Sequence, residues 1–190
     1  MKKILMTLAA VAVATTMNAQ IWAGGELGFS TKHNNGAEGN EKTFTVAPEI
    51  GYNLDDNFAV AIKFGYAHTN PNKYGEITNK WSINPYVRYT FVKAGNFSAF
   101  VDGGVNWSTE HAQGDKKNEN AFGININPGI AYNVSDKVTL AAHFGEGLYY
   151  KHNWKADYVE NDVVVAAGHR SNEFGLNLLN GVSFSAYYNF

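Results

Sequence analysis

A chain of 190 residues is the size of a single domain, and a hydrophobic share of 45% shows no membrane-spanning helix in its average. The formal charge of −2 and the lack of any basic run argue against a nucleic-acid partner, and the absence of cysteine means that the fold is held without disulfides. Nineteen glycines and a 14% aromatic share point instead to tightly packed all-β structure.

The chain opens with Lys2 and Lys3, an apolar stretch from Ile4 to Thr15, and Asn18-Ala19 before Gln20. A positive start, a short apolar core and a small residue are the marks of a cleaved export signal. The stretch is shorter than the roughly 20 residues that a spanning helix needs. Residues 1–19 are therefore expected to be a signal peptide and residues 20–190 the mature domain. Without Lys2 and Lys3, the 15 basic residues fall to 13 against 17 acidic ones, a balance of −4.

Eight alternating runs follow. The first, about Ile21–Ser30, sets Ile21, Ala23, Leu27 and Phe29 against Trp22, Gly24, Glu26 and Ser30. The second places Phe44, Val46, Pro48, Ile50 and Tyr52 on one face and turns at Asp55-Asp56-Asn57. The third carries Phe58, Val60, Ile62, Phe64 and Tyr66. The fourth runs from Trp81 through Pro85 to Phe91 and turns at residues 93–96. The fifth runs from Phe97 to Trp107 and leads into a wholly polar segment at 109–120. The sixth runs from Phe122 through Pro128 to Tyr132 and turns at 135–137. The seventh carries Val138, Leu140, Ala142, Phe144 and Leu148, with a long loop expected from there to about Arg170. The eighth closes the chain. Its upper part, about Phe174–Leu178, is expected to stand above a bilayer, and its last nine residues alternate Val182, Phe184, Ala186, Tyr188 and Phe190 with small or polar neighbours.

Three runs share the pattern Pro-x-Ile/Val-x-Tyr-x-apolar: Pro48 to Leu54, Pro85 to Phe91 and Pro128 to Val134. Short turns follow these endings and long polar loops follow the opposite ends, as in outer-membrane barrels with short periplasmic turns. Alternation alone does not say which face looks outward, since a soluble barrel carries the same period with its apolar face inside. The second face decides it. Ala59, Ala61, Gly65, Ala67, Gly104, Gly123, Gly129, Ala131, Gly145 and Gly147 suit a narrow lumen better than a water-facing surface. The apolar face gathers aromatics near both strand ends, the expected two girdles at the headgroup zones. Nine residues at about 3.3 Å each, tilted about 40°, give roughly 23 Å, close to the 25 Å apolar band of such barrels. The fold expected is an all-β, eight-stranded, antiparallel, up-and-down transmembrane β-barrel. Its three strand prolines each remove a ladder donor and share one register, which suggests bulges or a common tolerated distortion.

The upward strands each place an ionisable residue five positions after their first apolar residue: Glu26, Lys63, Asp102 and His143. Glu49 and Arg88 join them from downward strands, all six on the lumen face near mid-height. Opposite charges at one level should pair, because an unpaired charge there is costly. The resulting expectation is a structural plug, with an ion gate that swaps partners as the alternative. His33, His68, His111, His152 and His169 map to the external side without metal-ligand spacing, so neither a metal nor a cofactor is expected. His169-Arg170-Ser171-Asn172 is similar to the His-x-Ser-Asn stretch of outer-membrane lipid A deacylases, in which the His activates the Ser. A neighbouring-strand acid is not identifiable, and a nucleophile without one is not a triad.

The signal, the eight amphipathic strands, the turn/loop asymmetry and the terminal Tyr188-Asn189-Phe190 together resemble the OmpA/OmpX-like group of small outer-membrane β-barrels, across Gln20–Phe190. The resemblance implies a non-enzymatic envelope protein of the bacterial outer membrane, surrounded by lipid and lipopolysaccharide. It also implies recognition of the strand ending at Phe190 by the barrel-assembly machinery, and loops that contact an external partner. A peptidoglycan-binding domain of the OmpA type is not expected after the barrel.

Overall fold

The computed structural model describes residues 20–33, 40–71, 76–145, 147–160, 163–177 and 182–190; the expected signal segment, 1–19, lies outside them. Twelve strand segments follow one another in these residues: β1 Ile21–His33, β2 Asn40–Asn53, β3 Phe58–Asn70, β4 Thr78–Ala94, β5 Phe97–Ala112, β6 Glu119–Ser135, β7 Val138–Phe144, β8 Gly147–Lys155, β9 Tyr158–Glu160, β10 Val163–Ala166, β11 His169–Asn177 and β12 Val182–Asn189.

Each of β1 to β6 pairs antiparallel with the next. β6 then pairs with β7 along its lower half and β8 along its upper half. β12 pairs with β7 on one side and β1 on the other, while β11 continues along β8. β7 with β8, and β12 with β11, therefore each act as one wall strand, and the sheet closes as an eight-stranded antiparallel barrel. Closure runs through β6, β7, β12 and β1 from Trp22 to Leu27, pairing the backbone there on both sides, while β11 pairs with β8 alone among the described residues. The break between β7 and β8 falls at Gly145 and Gly147, whose φ values of 59° and 57° are left-handed.

Alternation places the faces as expected. Trp22, Ala47, Glu49, Ala59, Phe100, Asp102, Ala131, Ala141 and His143 are buried inside, and the exposed side chains are the greasy ones. At the turn end, Phe58 stacks on Tyr89 at 4.8 Å and Phe97 packs on Tyr132 at 4.6 Å, with Tyr188 and Phe190 at 5.2 Å. At the other end, cross-strand rungs pair Phe29 with Phe44, Tyr66 with Trp81, and Trp107 with Phe122. Trp81 is 60% exposed and Phe122 47%, values that a water-soluble protein would not tolerate around a whole belt.

The turns fall at 54–57, 95–96 and 136–137, all at the end that carries the chain's last strand residues. In the first, the N–H groups of Asn57 and Phe58 donate to Asp55 Oδ1 at 2.7 and 2.8 Å. Those bonds, to Asn57 first, hold the Asp55 carboxyl below its ordinary value of 3.8. A depressed folded-state value means stabilisation that is complete above the unfolded value and is lost as pH falls through the folded one. In urea titrations, wild type should therefore exceed Asp55→Ala in stability at neutral pH. That gap should narrow only once the pH drops below 3.8.

Two expectations need correction. The segment 149–170 is not one long loop: β8 runs to Lys155, β11 starts at His169, and β9 and β10 make a two-stranded ribbon between them. The polar segment 109–120 is also shorter as a loop, because β5 continues to Ala112 and β6 begins at Glu119. Above the apolar band both faces are polar, so the strands go on without hydrophobic contrast. The prolines, for their part, do not create bulges at Pro48 and Pro85. The β2–β3 ladder omits Ala47 and Pro48 between rungs Val46–Tyr66 and Glu49–Lys63 of the same register. The β4–β5 ladder likewise omits Asn84 and Pro85 between Ile83–Trp107 and Tyr86–Gly104. Pro128 lies on β6 where its partner changes from β8 to β7. The shared distortion is a gap of rungs, which tolerates a missing donor without shifting the sheet.

Candidate functional site

All six ionisable residues picked from the sequence project into the lumen, but they form two tiers rather than one. In the first, Lys63 Nζ donates to Glu26 Oε2 at 2.6 Å and lies 3.5 Å from Glu49 Oε2. In the second, Arg88 makes a two-pronged contact with Asp102: Nε to Oδ1 at 2.7 Å and Nη2 to Oδ2 at 2.8 Å. His143 Nδ1 lies 3.6 Å from Asp102 Oδ2. This planar fork geometry suits a guanidinium facing a carboxylate away from water.

Two tyrosines couple the tiers. Tyr86 OH donates to Glu49 Oε2 at 3.3 Å and accepts from Arg88 Nη2 at 3.3 Å. Tyr187 OH accepts from Arg88 Nη2 at 3.4 Å and lies 3.2 Å from His143 Nε2. Four rings enclose the guanidinium. Its Cζ lies 4.0 Å from the Phe100 centroid, 5.3 Å from Tyr187 and 5.5 Å from both Trp22 and Tyr86. Each such cation–π contact adds about 0.5–2 kcal/mol, more where water is excluded. Sequence reasoning missed these four aromatics. The available signal was that Trp22, Tyr86, Phe100 and Tyr187 are out of phase with the other rings, on the face otherwise given to small residues.

Glycine makes the packing possible. A Cβ on Gly129 would lie 2.3 Å from Phe100 Cζ and 2.9 Å from the Ala142 carbonyl oxygen, and one on Gly51 would lie 2.1 Å from Trp22 Cζ2. Gly129→Ala should therefore cost about 1–3 kcal/mol by overpacking. Urea unfolding checks it, and Phe100→Leu in the same chain should recover part of the loss.

A cavity lies on each side of the tiers. A cavity of about 460 Å³ lies on the turn side, with Asp55, Lys93 and Asp136 in its walls and Arg88, Phe100 and Tyr187 at its inner end. A second cavity, of about 300 Å³, lies on the loop side. They share no lining residue, and Glu26, Glu49, Lys63, Asp102 and His143 line neither.

Three of the external histidines each meet an asparagine side-chain oxygen, and the His33 side chain lies outside the described ones. His68 Nδ1 meets Asn79 Oδ1 at 2.9 Å, His111 Nδ1 meets Asn118 Oδ1 at 3.0 Å, and His152 Nδ1 meets Asn172 Oδ1 at 2.8 Å. In the His-x-Ser-Asn stretch, Ser171 Oγ accepts from Asn153 Nδ2 at 3.3 Å, while His169 Nε2 faces Glu119 Oε2 at 3.7 Å.

Comparison with known proteins agrees with this architecture. The crystal structure of Neisserial surface protein A superposes with a TM-score of 0.54 at 16% identity, covering 90% of this chain and 97% of that one. The outer membrane protein OprG of Pseudomonas aeruginosa superposes equally well, at 0.54 and 10% identity, covering 90% and 94%. In sequence, the uncharacterized outer-membrane protein y4mB of Sinorhizobium fredii is 24% identical over 139 residues, 65% of this chain. The match spans 61% of that relative's length. The family model for the outer membrane protein beta-barrel domain matches residues 4–190. With its greasy outer wall, paired aromatic belts and polar bore, the chain belongs to that family and is a protein of the bacterial outer membrane.

Proposed function

We propose that the barrel is a closed scaffold that does its work at the cell surface, through its external loops, and carries no catalytic centre. The supporting observation is the separation of the two cavities by the ion-paired tiers, with Arg88 seated among four rings. Glu26, Glu49, Lys63, Arg88, Asp102 and His143 are in this reading the residues that order and seal the bore. Residues 1–19 act as the export signal. The strand ending in Tyr188-Asn189-Phe190 addresses the barrel-assembly machinery, and lipid and lipopolysaccharide surround the wall.

The purified protein in planar bilayers should show little or no conductance; steady large openings would defeat the proposal. One observation favours a second reading, a narrow gated channel. Lys63 stands between two carboxylates, at 2.6 Å from Glu26 and 3.5 Å from Glu49, as a partner-swapping gate would require. Lys63→Ala separates the two: an unchanged trace supports the scaffold, and a rise in current supports the gate. Identical lipid A mass spectra from cells carrying wild type and Ser171→Ala would end the hydrolase alternative.

A further inference from the structure

Beyond the loop-side aromatic belt, β2 to β5 sort their charges by face. On the outward face Lys42, His68 and Asn79 each stand two residues past a belt ring, Phe44, Tyr66 and Trp81, and His111 stands four past Trp107. The register makes them a row: Lys42 is diagonal to His68, His68 is opposite Asn79, and Asn79 is opposite His111. The strand acids at this height, Glu41 and Glu110, alternate onto the inward face, and Glu110 is there opposite Lys80. Across the ladder from Lys42 are Thr31 and Asn70, and Lys42 forms no ion pair among the described residues. In the β5–β6 turn past His111, Asp115 is paired with Lys155 at 2.5 Å, Glu76 stands beside Gly114, and Lys116 and Lys117 are exposed.

Hydrogen bonds within the wall orient the row. Asn79 Oδ1 accepts from Tyr66 OH at 2.8 Å and from His68 Nδ1 at 2.9 Å, and Asn118 Oδ1 accepts from His111 Nδ1 at 3.0 Å. Nδ1 is then the protonated nitrogen of both rings, and Nε2 is the one that takes up a proton in acid, gaining a charge and a donor. His68 is faced by Lys42 and Phe44 from β2 and by Asn79 and Trp81 from β4, and His111 by Asn79 and Asn118. A basic row just past the rings, on the wall that faces the bilayer, meets headgroups rather than hydrocarbon. Lysine extends to that level from its stem, and phosphate oxygens accept charge-assisted hydrogen bonds from ammonium and imidazolium. We infer that this row docks the phosphate of lipid A, and that His68 and His111 tighten the hold as pH falls. The inference rests on the proposal that lipopolysaccharide surrounds the wall, and adds where and by what chemistry it is held.

Native mass spectrometry of the purified protein tests this, with diphosphoryl lipid A and the same lipid stripped of phosphate as probes in detergent. The phosphorylated lipid should be held about tenfold more tightly at neutral pH. That preference should grow towards about pH 5.5 in wild type and not in His68→Gln/His111→Gln. Lys42→Gln/His68→Gln/His111→Gln should bring the two lipids level, with unchanged heat-modifiable mobility on gels. Lys80→Gln, inward on the same wall, should leave the preference as it was. Equal retention of both lipids by wild type, an undiminished preference in the triple variant, or the same loss in Lys80→Gln would each overturn the phosphate site and leave the surrounding lipid in place. Retention of neither lipid would overturn both. Displacement of lipid A by inorganic phosphate would assign the row to a free anion and overturn the lipid. A pH response shared by wild type and the double variant would overturn the part given to the histidines. None of these readouts is conductance, so the scaffold reading stands or falls apart from them.

Discussion

Replacing Arg88 by alanine should destabilise the barrel by about 3–5 kcal/mol, the usual cost of breaking a buried ion pair from one side. Asp102 is 5% exposed and would lose both guanidinium bonds, at 2.7 and 2.8 Å. His143, 3.6 Å away, is the nearest remaining base, and it lacks the fork that held both oxygens. The rings of Phe100, Trp22, Tyr86 and Tyr187 would also surround a void where the guanidinium had been. Urea unfolding in lipid vesicles, followed by tryptophan fluorescence, measures the loss. The paired change Arg88→Met/Asp102→Leu should recover most of it, since well-packed apolar replacement of a buried pair is often neutral or better. Should Arg88→Ala prove nearly silent, water must reach Asp102, and the two cavities must then communicate.

The second large effect lies on the opposite face of the wall. Ile50, on β2, is 37% exposed and is flanked by Ile62 and Ala23 on the neighbouring strands. It sits between the belt residue Tyr52 and the opposite belt residue Phe44. Ile50→Arg puts a guanidinium into hydrocarbon two residues inside the Tyr52 belt, at a cost between the about 0–1 kcal/mol of the interface and the about 2–4 kcal/mol of the midplane. Phe44→Arg, at the belt, should cost only about 0–1 kcal/mol, because the charge reaches the headgroups. Unfolding in vesicles of both variants checks depth as well as orientation. Equal losses at the two positions would mean that the belts do not mark the bilayer surfaces.

Much of this was legible because a barrel wall has a period of two, and the sequence keeps it. Phe58, Val60 and Phe64 against Ala59, Ala61 and Lys63 is enough to assign faces on β3, and the faces assign the lumen charges. Lys63 and Asp102 lie on that inner face. Which charges meet was not legible. That depends on the stagger between strands, which brings Arg88 opposite Asp102 and Lys63 opposite Glu49. Tyr86 and Tyr187 are 101 positions apart, and nothing local in either segment says that both reach Arg88. The extension of β8 and β11 was hidden for a different reason. Asn153 to Lys155 lies beyond the belt residue Phe122, where lumen and exterior are both wet, so alternation loses its contrast while backbone pairing continues.

The two left-handed glycines at 145 and 147 have a mechanical side. Below them β7 is laced to β12, above them β8 is laced to β11, and only β6 runs past both. The joint sits within the apolar band, where Gly147 is opposite Ile126, so the wall exchanges its partner strands partway across the bilayer.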